Sequence, residues 1–131
     1  MKIENIKFRA KRLDNGEWVS GSLVRSTAGI KERAYIVDSF SSMSDYSVVG
    51  VDPSTVCQFT GLRDCEGKEI WEGDIVRDNY DLLCVDNFYE VVYIEEEGAF
   101  AFKSLDKVDN YEPFVNLFEA YVVGNKFDKE K

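Results

Sequence analysis

A chain of 131 residues with nine Phe, seven Tyr and two Trp has enough apolar area for one compact domain or two small subdomains, which sets aside disorder except at the ends. No apolar run approaches the roughly 18 residues a spanning helix needs, and Met1-Lys2-Ile3-Glu4-Asn5 leads into no hydrophobic signal region; the expectation is a cytoplasmic protein with no membrane partner. The formal charge of −9 is uneven: residues 1–65 carry nine Lys and Arg against eight Asp and Glu, residues 66–131 seven against seventeen, and a surface of the second kind repels a phosphate backbone.

In chain order, Ile6, Phe8 and Ala10 alternate with Lys7, Arg9 and Lys11, a period of two that puts apolar groups on one face of a strand and cations on the other. Asp14-Asn15-Gly16 is a hairpin signal, because Asn and Gly tolerate positive φ, and Trp18 to Val24 returns as a second strand. Ala34 to Val37 predicts a short strand. Ser39 to Ser47, with Phe40, Met43 and Tyr46 as its apolar members, predicts a surface loop. Val48 to Val51 and Thr55 to Thr60 read as strands on either side of Asp52-Pro53.

Gly61, Asp64, Gly67 and Gly73 punctuate the next segment so closely that it predicts a string of tight turns, with no element longer than about five residues. Glu72 to Arg77 is a turn feeding a strand, and Leu82 to Val85, Phe88 to Ile94 and Ala99 to Lys103 continue as a meander, the last two joined through Glu95-Glu96-Glu97-Gly98. Leu105 to Phe118 predicts a loop with a short helical turn, since Asn110 and Pro113 interrupt its helical spacing. Ala120 to Gly124 is a last strand, and Lys129 to Lys131 should fray. The fold class is therefore all-β: an N-terminal β-hairpin or small sheet over residues 1–60 and a second β subdomain over 61–131, joined by the glycine-rich turns, the two able to form one folding unit.

Cys57, Cys65 and Cys84 leave an odd thiol under any intramolecular pairing; with no CxxC and no histidine they complete no zinc site, so reduced, structural thiols are expected. Cys84, inside Leu82-Leu83-Cys84-Val85, reads as a core residue.

The run Val51-Asp52-Pro53, then Thr55 to Asp64, then Gly67-Lys68-Glu69-Ile70-Trp71-Glu72-Gly73-Asp74-Ile75-Val76, resembles the signature of the YopX family. Phe8-Arg9-Ala10 with Trp18-Val19-Ser20-Gly21, and Tyr121-Val122-Val123-Gly124-Asn125, agree with it, so the resemblance spans most of the chain. Cys57 replaces a small residue, commonly glycine, and Trp71 a tyrosine or phenylalanine. The resemblance implies an all-β fold with a small SH3-like β-barrel in the second half, residence in phage, prophage or mobile elements, and homo-oligomers. It implies no established activity.

The motif residues Gln58, Thr60, Gly61, Asp64, Gly67, Glu72, Gly73 and Asp74 lack the GxxxxGK[ST] order of a phosphate loop, and their expected role is structural or interactive: glycines for special backbone angles, polar side chains for hydrogen bonds inside turns. Glu66, Glu69, Glu72 and Asp74 lack EF-hand spacing and read as a solvated acidic surface. With no histidine, the commonest general base is absent, so no catalytic residue, metal or cofactor is assigned and no enzyme is expected. Lys7, Arg9 and Lys11, with Lys2 and Arg12 nearby, are the candidate nucleic-acid or subunit contacts; lacking aromatics interleaved on the same face, they read as a solvated strand face.

The expected function is that of a non-enzymatic, oligomeric interaction protein encoded by a phage or prophage. It would bind itself head to tail through complementary charge, or a host or phage protein, with Phe40 and Tyr46 as contact residues. Two other classes compete: a nucleic-acid accessory module using the basic hairpin, and an acidic decoy that mimics DNA.

Overall fold

In a computed structural model the chain is described over residues 2–27, 29, 31–37, 47–78, 87–105, 111–113 and 120–128. It is an all-β protein. Eleven strands occur among these residues: β1 (Phe8–Lys11), β2 (Trp18–Ser26), β3 (Arg33–Val37), β4 (Val48–Val51), β5 (Cys57–Arg63), β6 (Glu69–Trp71), β7 (Asp74–Asp78), β8 (Asn87–Ile94), β9 (Ala99–Ser104), β10 (Tyr111–Pro113) and β11 (Ala120–Asn125). Two single 3₁₀ turns, Ile3–Asn5 and Pro53–Thr55, are the only helical pieces described. The strands form two antiparallel sheets, ordered β4-β3-β2-β1-β5-β6 and β10-β9-β8-β7-β11. The chain divides into two compact units, Met1–Phe59 and Thr60–Lys131, and β5 runs through the division.

In the first unit the Asp14-Asn15-Gly16 turn, with Gly16 at φ 73°, folds β2 back on β1 so that Ala10 lies across from Val19 and Lys11 from Trp18. Meander pairing then stacks β3 on β2 and β4 on β3. The period-two pattern sends Phe8, Ala10, Leu23, Ile36, Val49 and Val51 to one side, where Ala10, Ala34, Ile36 and Val51 form the buried core. Each wholly buried Ile or Val contributes about 1.5–3 kcal/mol there. The edge strand β4 is met by the segment leaving β1: Leu13 N–H donates to Gly50 O (3.1 Å), Asp52 N–H donates to Lys11 O (2.9 Å), and Arg12 bridges Val51. After β4, Asp52 caps the Pro53–Thr55 turn by accepting from Ser54 N–H (3.0 Å), and the Thr55 hydroxyl accepts from Lys11 N–H (2.9 Å).

The second unit gathers Ile70, Val76, Val91, Phe102 and Ala120, with Tyr89, Phe100 and Val122 packed against them. The hairpin of β8 and β9 runs in register from Tyr89↔Ser104 to Ile94↔Ala99, and β11 returns beside β7 with a bulge between Val122 and Gly124. Among the described strands this sheet is open, with β10 and β11 as its edges.

Two sequence expectations need correction. Residues 111–113, placed in a loop with a helical turn, form a strand paired antiparallel with β9, because cross-strand pairing supplies the hydrogen bonds a short, proline-ended segment cannot make as a helix. Gly61 does not end the preceding strand: β5 continues through Gly61 to Arg63, seven residues in all, with Gly61 at φ 86°, so that only residues 64–68 and 72–73 lie between strands. Glycine at positive φ here works within a strand rather than as its terminus. The strand expected over Leu82 to Val85, Cys84, the contact residues Phe40 and Tyr46, and the fraying Lys129 to Lys131 lie outside the described residues.

Candidate functional site

The motif residues fold into a hydrogen-bonded frame around two buried carboxylates. Asp64 Oδ1 accepts from Glu66 N–H (2.9 Å) and Lys68 N–H (2.8 Å), holding its own turn, while Oδ2 accepts from Val122 N–H on β11 (2.9 Å). Cys65 N–H donates to Ala120 O (3.3 Å), so residues 64–65 occupy the side of β11 that β7 leaves free. Asp74 accepts from Trp71 N–H through Oδ2 (2.7 Å) and from Asn125 Nδ2 through Oδ1 (2.9 Å). Asn125 closes this frame: it also donates to Glu72 O (3.3 Å), and its Oδ1 accepts from Phe127 N–H (2.9 Å). Gly73, at φ 82°, donates to Val91 O (2.7 Å) and accepts from Lys126 N–H (2.9 Å). Thr60 Oγ1 donates to Ile70 O (2.7 Å) and accepts from Leu62 N–H (3.2 Å). Gln58 stands opposite Phe8, and Gly67 turns at φ 84°.

Asp64 and Asp74 thus each accept from N–H groups of the protein itself through both oxygens, the arrangement that lets a carboxylate be buried at low cost. Of the four carboxylates read as a solvated acidic surface, Asp74 departs from that reading. Asp74 is buried, Glu66 is exposed, and Glu69 pairs with Arg63 at 3.6 Å. No three Asp, Glu or Cys side chains come together as a metal-binding group among the described residues. Of the cysteines, Cys57 is buried with its thiol donating to Thr55 O (3.3 Å), whereas Cys65 is exposed.

Lys7, Arg9 and Lys11 do share one face of β1, opposite the core side of Phe8 and Ala10. The expectation that this face lacks aromatics is wrong. Lys7 Nζ lies 4.7 Å from the Phe59 ring centroid, Arg9 Cζ 4.6 Å from that of Trp18, and Lys11 Nζ 4.8 Å from the same ring. Cations over aromatic rings at these distances gain about 0.5–2 kcal/mol each, so this face is an ordered cation and ring array. Trp18 was legible as a member, because the hairpin register carries it opposite Lys11. Phe59 was not, since only the non-local pairing of β5 with β1 brings it beside Lys7. Arg12 leaves the group: its guanidinium forms a two-pronged ion pair with Asp14 at 2.9 and 2.8 Å and holds that carboxyl below its usual range. Asn125 belongs with Tyr121 to Gly124 to the family resemblance but is not among the motif residues, and nothing in its spacing points to Asp74.

An all-β chain of two sheets, with paired turns locked on buried aspartates and a separate cation and ring face, is the class these features define. Residues 7–130 match the YopX protein family, and the chain belongs to it. Among solved structures it is similar to protein EF1440 from Enterococcus faecalis, with a TM-score of 0.51 and 21% identity over 92% of each chain, a likeness of fold alone. None of the curated proteins matches the chain.

Proposed function

We propose that this is a non-enzymatic interaction protein that self-associates through complementary charge, the basic face of one copy meeting the acidic second unit of another. The observation that carries the reading is the coincidence of charge with architecture. Residues 1–59 carry eight Lys and Arg against seven Asp and Glu, and residues 60–131 eight against eighteen. Within the first unit the cations that matter sit on one strand face, immobilised over Trp18 and Phe59, so little side-chain entropy remains to be lost on binding. Such a heterologous contact builds rings or filaments. The motif frame serves as scaffold in this reading, its polar groups being spent on backbone.

The same reading includes an origin in a phage or prophage, supported by family membership, and work in the bacterial cytoplasm. It also treats the second unit as an SH3-like barrel and the two units as subdomains. The order β10-β9-β8-β7-β11, a meander whose last strand returns beside its first, is the connectivity such a barrel uses.

Nucleic-acid binding is the second reading, favoured by aromatics on the cationic face. The rings there already carry cations over them, which takes up the surface a base would stack on. Light scattering at low and high salt decides the matter. A mass that falls with salt, and falls equally on Lys7→Glu, Arg9→Glu, Lys11→Glu replacement, supports self-association. A mass equal to one chain throughout, with a salt-sensitive DNA shift lost in the same variant, transfers the function to nucleic acid.

A further inference from the structure

On the same outer face of the sheet as Lys7, Arg9 and Lys11, across β2, the first unit carries further cations beside β3 and β4. A cleft of about 340 Å³ opens beside β3 and β4, lined by Leu13, Lys31, Arg33, Tyr35, Gly50 and Pro53 among others. Its origin is local. Gly50 brings no side chain to the outer face of β4, and Leu13 hangs over it from the β1–β2 turn; a Cβ at Gly50 would meet Leu13 Cδ1 at 3.7 Å. Leu13 is 70% exposed, an unusual state for a leucine held by its own backbone hydrogen bond to Gly50 O. The rim carries Lys31 and Arg33, both exposed, and the intervening Glu32 is neutralised by Arg25 at 2.7 Å. The cleft is apolar in its floor, cationic at its rim, and at the small end of ligand-sized clefts of roughly 300–1,000 Å³, so it suits one or two side chains on a protruding turn.

A turn of the matching chemistry exists on the same chain. Glu95, Glu96 and Glu97 form the exposed tip of the β8–β9 hairpin, closed by Glu97 N–H to Ile94 O (3.1 Å) and Gly98 N–H to Glu95 O (3.3 Å). Beneath it Tyr93 stacks edge-on against Phe100 at 5.3 Å, is 43% exposed, and sets its hydroxyl close to Gly98. The tip is therefore closed by its own hydrogen bonds and offers carboxylates with an aromatic beside them. We infer that the Leu13–Arg33 cleft of one copy receives the Glu95–Glu97 tip of a second. This rests on the self-association reading and adds a second contact to that of the β1 face: carboxylates against Lys31 and Arg33, Tyr93 against Leu13 and Tyr35. Opposite charges across such a contact set register and suppress wrong partners.

The test uses two full-length variants, Lys31→Glu with Arg33→Glu in the cleft, and Glu95→Gln, Glu96→Gln, Glu97→Gln at the tip. All five positions are exposed, and unchanged circular dichroism and melting certify the fold. Light scattering at low salt should show each variant weakened in self-association by roughly tenfold or more. An equimolar mixture should form a two-chain complex, because each variant keeps the half that the other lacks. Assembly that survives either set of changes, or a mixture that stays apart, overturns the cleft contact. If that occurs while Lys7→Glu, Arg9→Glu, Lys11→Glu still abolishes assembly, the broader reading stands; a wild-type chain that is monomeric at every salt overturns both.

Discussion

Asp64 serves three backbone N–H groups through one side chain, two in its own turn and one on β11. Its removal leaves three part-buried donors without this acceptor, an unmet buried donor costing about 1–3 kcal/mol. Asp64→Ala should therefore lower unfolding free energy by about 3 kcal/mol in urea denaturation, whereas Glu66→Ala, two residues on and exposed, should change it by less than about 0.5 kcal/mol. Asp74→Asn is subtler. Its Oδ1 faces the Asn125 amide and its Oδ2 the Trp71 N–H, so an amide sets a donor against a donor whichever way it flips, and a loss of about 2 kcal/mol is expected in the same assay. Asp14 provides a pH signature. The Arg12 hydrogen bond, ahead of the opposing effect of desolvation, lowers its carboxyl below 3.8. A depressed carboxyl stabilises the fold above the unfolded-state pKa and loses that contribution as pH falls through the folded value. Arg12→Ala should move the Asp14 titration seen by NMR up toward the ordinary range, the carboxyl staying ionised at neutral pH in both proteins.

Strands and turns show how this sheet protein handles its edges. On β11, Ala120 O and Val122 N–H face away from β7 and are taken by Cys65 and Asp64. The segment leaving β1 pairs with β4, and β10 ends at Pro113, which has no N–H to offer. Edges handled in this way discourage strand addition. The turn at Gly73 links β6 to β7 and carries hydrogen bonds to both β8 and the stretch after β11. An alanine Cβ there would lie 3.3 Å from Asn125 Nδ2 in a backbone region that L residues resist. Gly73→Ala should cost about 1–2 kcal/mol, visible as a shifted denaturation midpoint with unchanged slope.

At the scale of the whole molecule, the two halves differ by eleven charges, +1 over residues 1–59 against −10 over 60–131. Association by such a split weakens as salt screens it, the Debye length falling from about 10 Å at 0.1 M to 3 Å at 1 M. Light scattering should report a mass that declines over that range. The all-β class, the β1–β2 hairpin and its division into core and cationic faces were legible in the sequence, because period-two patterning and an Asn-Gly turn act between residues close along the chain. The charge division was equally legible, being a matter of counting. By contrast, the strand at 111–113 exists through its pairing with β9, and Phe59 joins Lys7 through the β1–β5 pairing. Asn125 reaches Asp74 across 51 positions. The sequence by itself determined an aromatic-rich, acidic β protein with Lys7, Arg9 and Lys11 on one face of a strand. Only tertiary structure decided which side chains complete the aspartate frame and the cationic face, because hydrogen-bond and ring partners distant in sequence are chosen by strand register, and register is a property of the assembled sheet.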